Sequence, residues 1–167
     1  MHEQIKYLVR GALLLAIALV VQQLRLLLPL PVVVMTLIIG TVVNGVLVLC
    51  RRTTTRAITV AVSFALPFVA CAQGHILPPV IPVIFLGNTL YALLSGMKGK
   101  PLAYLILVAP AAKALCMGAG LWLVLTITNM PPDLRLHMVK AFIPIQWATG
   151  ITGLFLADLI GKKIDDR

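Results

Sequence analysis

The feature that most constrains this chain is a run of thirty residues, 101–130, that carries one formal charge, Lys113. A hydrocarbon core of about 30 Å needs roughly 20 apolar residues at about 1.5 Å each in an α-helix, so this run can span it. Lys113 would then lie near mid-membrane, where a lysine costs at least about 2.5 kcal/mol on insertion scales. The run predicts a transmembrane helix whose lysine has a functional role, with interhelical packing as the alternative.

Lys113 has no acidic residue at its predicted depth, because the acidic residues of the chain lie near its ends or in a predicted loop. We expect its partner to be a bound molecule that carries a carboxylate or an acidic ring group. Without that molecule, water and carbonyl groups freed by Pro110 would have to solvate the ammonium.

Composition extends the membrane assignment to the whole chain. The sequence is 60% hydrophobic and 11% charged, whereas soluble domains are about a quarter charged. Its length suits one membrane domain, residues 1–167, with no second globular domain. The net charge of +9 does not predict nucleic-acid binding, because the basic residues lie in short clusters between apolar runs.

Hydropathy and turn residues predict an all-α integral membrane protein, a compact bundle of six transmembrane helices. A polar loop is predicted at 130–140, and Pro67 is expected to interrupt the third helix. With six spans both termini lie on one side, where ten of the fourteen basic residues also fall, against three on the other. This bias predicts cytoplasmic termini. The predicted spans are residues 5–28, 33–50, 57–73, 80–97, 101–130 and 141–160.

Polar side chains recur at similar depths in the outer half of these spans, and they predict an outward-facing pocket for a small polar molecule. Trp147 or Tyr91 could stack on a ring of that molecule, or could be packing and interfacial aromatics. His75 could instead be solvated in its turn, and Asn44 is expected to make an interhelical hydrogen bond. The candidate binding residues are Lys113, Asn88, Tyr91, Gln146, Trp147, Gln73 and His75.

Catalytic motifs are absent from the sequence. It contains no HExxH, no GxSxG, no P-loop and no pair of deep carboxylates for a proton relay. We therefore expect neither catalysis nor a cofactor or metal in this chain, and any energy for active transport must come from other proteins.

Several segments together resemble the substrate-binding S components of energy-coupling factor (ECF) transporters, and the likeness covers essentially the whole chain. Helix 1 carries the small-residue step Ala12 to Ala16, and a Pro-rich break follows that helix. The other segments are PVVVMTLIIGTVVN (31–44), QGHILPP (73–79), FLGNTLYALL (85–94), APAAKAL (109–115) and QWATGITGLFLAD (146–158).

The resemblance implies a subunit of a bacterial-type cell membrane that binds a vitamin or related micronutrient in an outward cavity. The loop after helix 1, about residues 28–35, would cap that cavity. Ala12 and Ala16 would dock onto a transmembrane coupling (T) component driven by two cytoplasmic ATPases, and the subunit would topple in the membrane to release its ligand.

Two other functions are compatible with the residues. A small polytopic membrane enzyme or assembly factor could use Lys113 and His75 on a lipid-linked substrate. A structural subunit of a larger membrane complex would use Lys113 as an interhelical contact. Co-purification with an ATPase pair would indicate the transport subunit, and turnover without ATP would indicate the enzyme.

Overall fold

A computed structural model describes residues 2–97 and 99–165, and the structure is all-helical over these residues. Among them, five helical spans are long and apolar enough to cross a membrane by length and composition, one of which joins a 3-10 turn to the helix that follows it (Pro78–Ser95, 18 residues). The helix Arg56–Ala72 is shorter, with 17 residues. The predicted all-α, multi-pass architecture is thereby confirmed. The elements are α1 (His2–Leu27), α2 (Val32–Thr53), α3 (Arg56–Ala72), a 3-10 turn (Pro78–Val80), α4 (Ile81–Ser95), α5 (Leu102–Ile127) and α6 (Pro132–Asp165).

Prolines separate several of these helices, as the sequence predicts. The segment between α1 and α2 contains Pro29 and Pro31, and α5 starts directly after Pro101. The predicted interruption at Pro67 is wrong, because α3 runs through that residue. Likewise α5 runs through Pro110, so the proline does not open the helix. Both prolines are buried against neighbouring helices, and such packing compensates for the lost backbone hydrogen bond.

The predicted polar loop at 130–140 is also wrong, because α6 begins at Pro132 rather than near residue 141. Proline suits the first helical turn, where its missing N–H would have no partner, and Asp133 beside it favours the positive end of the helix dipole. The Arg135 guanidinium donates to Thr126 Oγ1 (2.6 Å) and to the Met130 carbonyl (3.1 Å). These bonds tie the start of α6 to the end of α5.

The backbones of α2 and α6 approach each other closely at Gly153. A Cβ placed on Gly153 would lie 2.5 Å from Asn44 Cβ and 2.9 Å from both the Gly45 nitrogen and the Thr41 oxygen. In a membrane bundle, such small residues allow backbones to approach where larger side chains would hold them apart. This contact fixes the position of Asn44, which is buried at 1% exposure.

Replacing Gly153 with alanine is therefore expected to destabilise the fold by about 1–3 kcal/mol, since the backbone of α2 must move away. The measurement is reversible unfolding of the purified full chain in mild detergent. The matched control is Gly161→Ala on the same helix, where the nearest atom to a new Cβ is Arg52 Nη1 at 4.0 Å. That change should be neutral or stabilising by up to about 1 kcal/mol. Equal losses from the two substitutions would contradict this packing.

The two ends of the bundle differ in composition. At one end, the last turn of α2 meets the ends of α4 and α6, since Arg51 packs on Gly96 and Arg52 lies 3.5 Å from Asp158. The first turns of α1 and the last turns of α6 line a cavity at this same end. We call this the basic end. It carries Arg10, Arg51, Arg52, Lys162 and Lys163.

Candidate functional site

A cavity of about 570 Å³ opens among the helices towards the end of the bundle opposite the basic end. Its volume falls in the range of small-molecule sites, roughly 300–1,000 Å³. The walls are mostly apolar, and the polar groups come from five helices and the turn after α3. We call it the central cavity. Its polar lining consists of Gln22, Arg25, Thr36, Asn44, His75, Asn88, Lys113 and Gln146.

Lys113 forms the buried floor of the central cavity. Its side chain is 3% exposed, and Nζ donates a hydrogen bond of 2.5 Å to Asn44 Oδ1. The ammonium also lies 5.2 Å from the centre of the Tyr91 ring, within the range of a cation–π interaction. The predicted interhelical hydrogen bond of Asn44 is thus confirmed, with Lys113 as its partner. An amide oxygen and an aromatic face stabilise the charge without neutralising it.

The surroundings of Lys113 are held by contacts among α4, α5 and α6. Tyr91 is fully buried, and its hydroxyl donates to the Gly150 carbonyl at 2.7 Å. A Cβ on Gly150 would lie 2.8 Å from Pro110 Cβ, so α5 and α6 are in close contact one turn from the lysine. These contacts hold the Tyr91 ring beside the ammonium at the floor of the central cavity.

The mouth of the central cavity carries polar groups without protein partners. Arg25, in the last turn of α1, approaches Thr36 Oγ1 on α2 through Nη2 at 3.4 Å. Within the described chain, Arg25 Nε, Gln22 Oε1 and His75 Nε2 are buried and lack a hydrogen-bond partner. Burial, and then the charge of Arg25, lowers the pKa of His75 below the ordinary imidazole value. This shift favours the uncharged form of the ring at neutral pH.

The lining has the electrostatic character of an anion site. The lining contains two side chains of basic residues, Lys113 and Arg25. No carboxylate is present among its described residues. In a low-dielectric cavity such charges attract an anion far more strongly than they would in water. The described residues include no group of three His, Cys, Asp or Glu side chains that could hold a metal ion.

The structure brings four of the seven predicted binding residues to this cavity, namely Lys113, Asn88, Gln146 and His75. Tyr91 lies behind the lysine. Trp147 is 44% exposed and does not line the cavity, because it follows Gln146 and successive helix residues point about 100° apart. Gln73 does not line it either.

Sequence reasoning missed Arg25 and Thr36 as site residues, although one signal was available. Most basic residues of the chain are predicted on the cytoplasmic side, and Arg25 is one of three predicted on the other. A basic residue that departs from this bias next to a membrane span needs a separate explanation, and the cavity provides one. Thr36 gave no comparable signal.

Comparison with known proteins adds no assignment. No protein-family model, curated protein or solved structure matches the chain. The fold and the central cavity by themselves define a multi-pass helical membrane protein with an electropositive cavity of small-molecule size.

Proposed function

We propose that this chain is the substrate-binding S component of an ECF-type importer, and that the central cavity captures its substrate from outside the cell. The observation that carries the proposal is a cavity of about 570 Å³ with Lys113 buried at its floor and Arg25 at its mouth. A chain of this kind binds the substrate and delivers it across the membrane, while separate ATPase subunits supply the energy for transport.

The substrate is an anionic vitamin or related micronutrient. Its acidic group reaches the Lys113 ammonium, where a charge-assisted hydrogen bond compensates the cost of holding a cation in the membrane. Asn88 and Gln146 offer further donors and acceptors to the polar atoms of the molecule. Arg25, whose buried Nε has no hydrogen-bond partner among the described residues, meets a second polar or charged group nearer the opening.

The exposed surface of α1 is the second observation that supports the proposal. This helix packs on α2 and α3, but only 11% of its 18-residue apolar stretch is buried. Ala12 and Ala16 lie one turn apart on the exposed surface. Two small side chains at this spacing form a flat strip that another helix can approach closely. In the proposal this strip docks onto the transmembrane coupling component.

Affinity purification of the full chain from native membranes tests the proposal. We expect a multi-span coupling protein and two ATPases in the eluate, and ATP-dependent uptake in cells that hold all of them. A second candidate function, an enzyme acting on a lipid-linked substrate, is supported by Lys113 and His75 lining one cavity. Turnover of such a substrate by the chain alone, without ATP, would favour it over the transport subunit.

The proposed orientation places six spans in the membrane with both termini in the cytoplasm, and it makes the topology testable. A cysteine introduced at Asp133, in the first turn of α6, should react with a membrane-impermeant maleimide in intact cells. A cysteine introduced at Gly99, between α4 and α5, should react only after the cells are opened. The positive-inside bias is the physical reason.

Both variants need a background in which the native cysteines, Cys50, Cys71 and Cys116, are replaced by alanine. That background without an added cysteine is the control for non-specific labelling. The reverse pattern, with Gly99→Cys labelled in intact cells and Asp133→Cys protected, would place the opening of the central cavity in the cytoplasm.

A further inference from the structure

A second cavity, of about 910 Å³, lies at the basic end between α1, α2 and α6. Its lining divides into two parts. The part nearest the helix ends carries Arg10, Arg51 and Arg52, while the part towards mid-membrane is apolar. We call it the arginine cavity. The apolar wall includes Leu13, Ile17, Val42, Val46, Leu49 and Leu156.

The arginines of this cavity are not equally neutralised. Arg52 lies 3.5 Å from Asp158, which is also paired with Lys162 at 3.2 Å. Arg10 and Arg51 have no carboxylate within 4.0 Å among residues 2–97 and 99–163. The stem of Arg51 packs on Gly96, and its Nε is buried without a hydrogen-bond partner. The cavity thus holds two cationic groups that the described part of its wall leaves uncompensated.

The apolar wall is open to the bilayer along α1. Leu13 is 60% exposed and Ile17 is 50% exposed, and both also line the cavity. A soluble anion would gain nothing from this wall, whereas a molecule with a hydrocarbon chain would bury apolar area against it. The docking strip at Ala12 and Ala16 points about 100° away around the helix, so the wall and the strip are different faces of α1.

We propose that the arginine cavity binds an anionic phospholipid. The phosphate lies between the guanidinium groups of Arg10 and Arg51, whose planar donor forks match phosphate oxygens. One acyl chain lies along the apolar wall between α1 and α6. Basic pockets between membrane helices are suited to this kind of headgroup recognition. The site is separate from the central cavity and does not depend on the transported molecule.

The test is native mass spectrometry of the full chain, recovered from vesicles of equal parts phosphatidylglycerol and phosphatidylcholine. We expect phosphatidylglycerol to be retained in preference to phosphatidylcholine. Arg51→Gln and Arg10→Gln should each lower the ratio of the two lipids by roughly tenfold, the equivalent of one charge-assisted hydrogen bond. Lys163→Gln is the matched control, since Lys163 is exposed at the same end and does not line the cavity. It should leave the ratio unchanged.

Two further measurements separate the phospholipid from other occupants. Excess inorganic phosphate should not displace the bound phosphatidylglycerol, and displacement would indicate a site for a soluble anion. Ile17→Asn, which changes only the wall, should lower retention of the lipid while the unfolding temperature stays at the wild-type value. Arg10 is exposed, so Arg10→Gln is expected to fold. This variant alone tests the phosphate contact if Arg51→Gln does not fold.

The proposal is overturned if the two lipids are retained equally, or if Lys163→Gln lowers the ratio as much as Arg10→Gln. It is also overturned if the purified chain shows no lipid preference and Arg10→Gln instead abolishes capture of the coupling protein. In that case a protein helix occupies the cavity. None of these outcomes bears on binding in the central cavity, which is measured separately.

Discussion

Lys113→Met is expected to weaken binding of the transported molecule by roughly ten- to a hundredfold, because it removes a charge-assisted hydrogen bond worth about 1.5–3 kcal/mol. Among the described residues that line the central cavity, Lys113 is the only basic side chain that is almost completely buried, with 3% exposure. A methionine fills a similar volume and offers no donor. Lys113→Arg is also expected to bind poorly, since a planar fork does not fit a site shaped by Asn44 and the Tyr91 ring.

The fold is expected to survive Lys113→Met. The partners of the ammonium are neutral, so the substitution relieves a desolvation cost without leaving a counter-charge behind. Asn44 also lines the cavity, where water can replace the lost donor. Titration calorimetry with the molecule released from the wild-type protein measures the affinity, and thermal unfolding measures the stability of the variant. Lys163→Met, at an exposed site, is the control. Wild-type affinity in Lys113→Met would make the lysine a packing residue.

Ala12→Trp and Ala16→Trp are each expected to abolish ATP-driven uptake while leaving ligand binding at the wild-type level. An indole on the flat strip of α1 would hold a partner helix away, and close approach is what small-residue contacts provide. Neither alanine lines the central cavity, and both are exposed, so the fold has no reason to change. Uptake and co-purification of the coupling component are measured in the same cells.

The matched control for the docking strip is Ala119→Trp. Ala119 is an exposed alanine on α5, a helix that packs against α4 and α6 rather than α1. Ala119→Trp adds the same bulk to a different membrane-facing surface and should leave uptake intact. Trp variants at Ala12 and Ala16 that still support uptake and still retain the coupling component would show that this strip is not the docking face.

The architecture was largely predictable because the membrane imposes it. A run such as 101–130 has few alternatives to a transmembrane helix, and the burial of Lys113 within it followed from its position. The interhelical role of Asn44 followed from the cost of leaving an amide unpaired in an apolar core. The length of α6 did not follow, because the polar residues near Asp133 extend that helix beyond its apolar part, where hydropathy gives no signal.

The composition of the central cavity was only partly predictable, since depth along a helix does not give the direction in which a side chain points. Gln146 and Trp147 lie at nearly the same depth, yet only Gln146 lines the cavity. Tyr91 has the right depth and lies beneath Lys113, where its hydroxyl bonds to the backbone of α6. Which helix faces meet is decided by contacts such as that of Gly153 with Asn44, between residues far apart in the chain.

The central claim is that the cavity above Lys113 binds a small anionic molecule, and mass spectrometry of what the protein retains tests it most directly. The full chain is purified gently from its native membrane, denatured, and the released small molecules are compared with those from Lys113→Met and Lys163→Met. We predict one acidic compound in near-stoichiometric amount from wild type and Lys163→Met, and strongly depleted from Lys113→Met. A compound without an acidic group, or equal amounts from all three proteins, would contradict the claim.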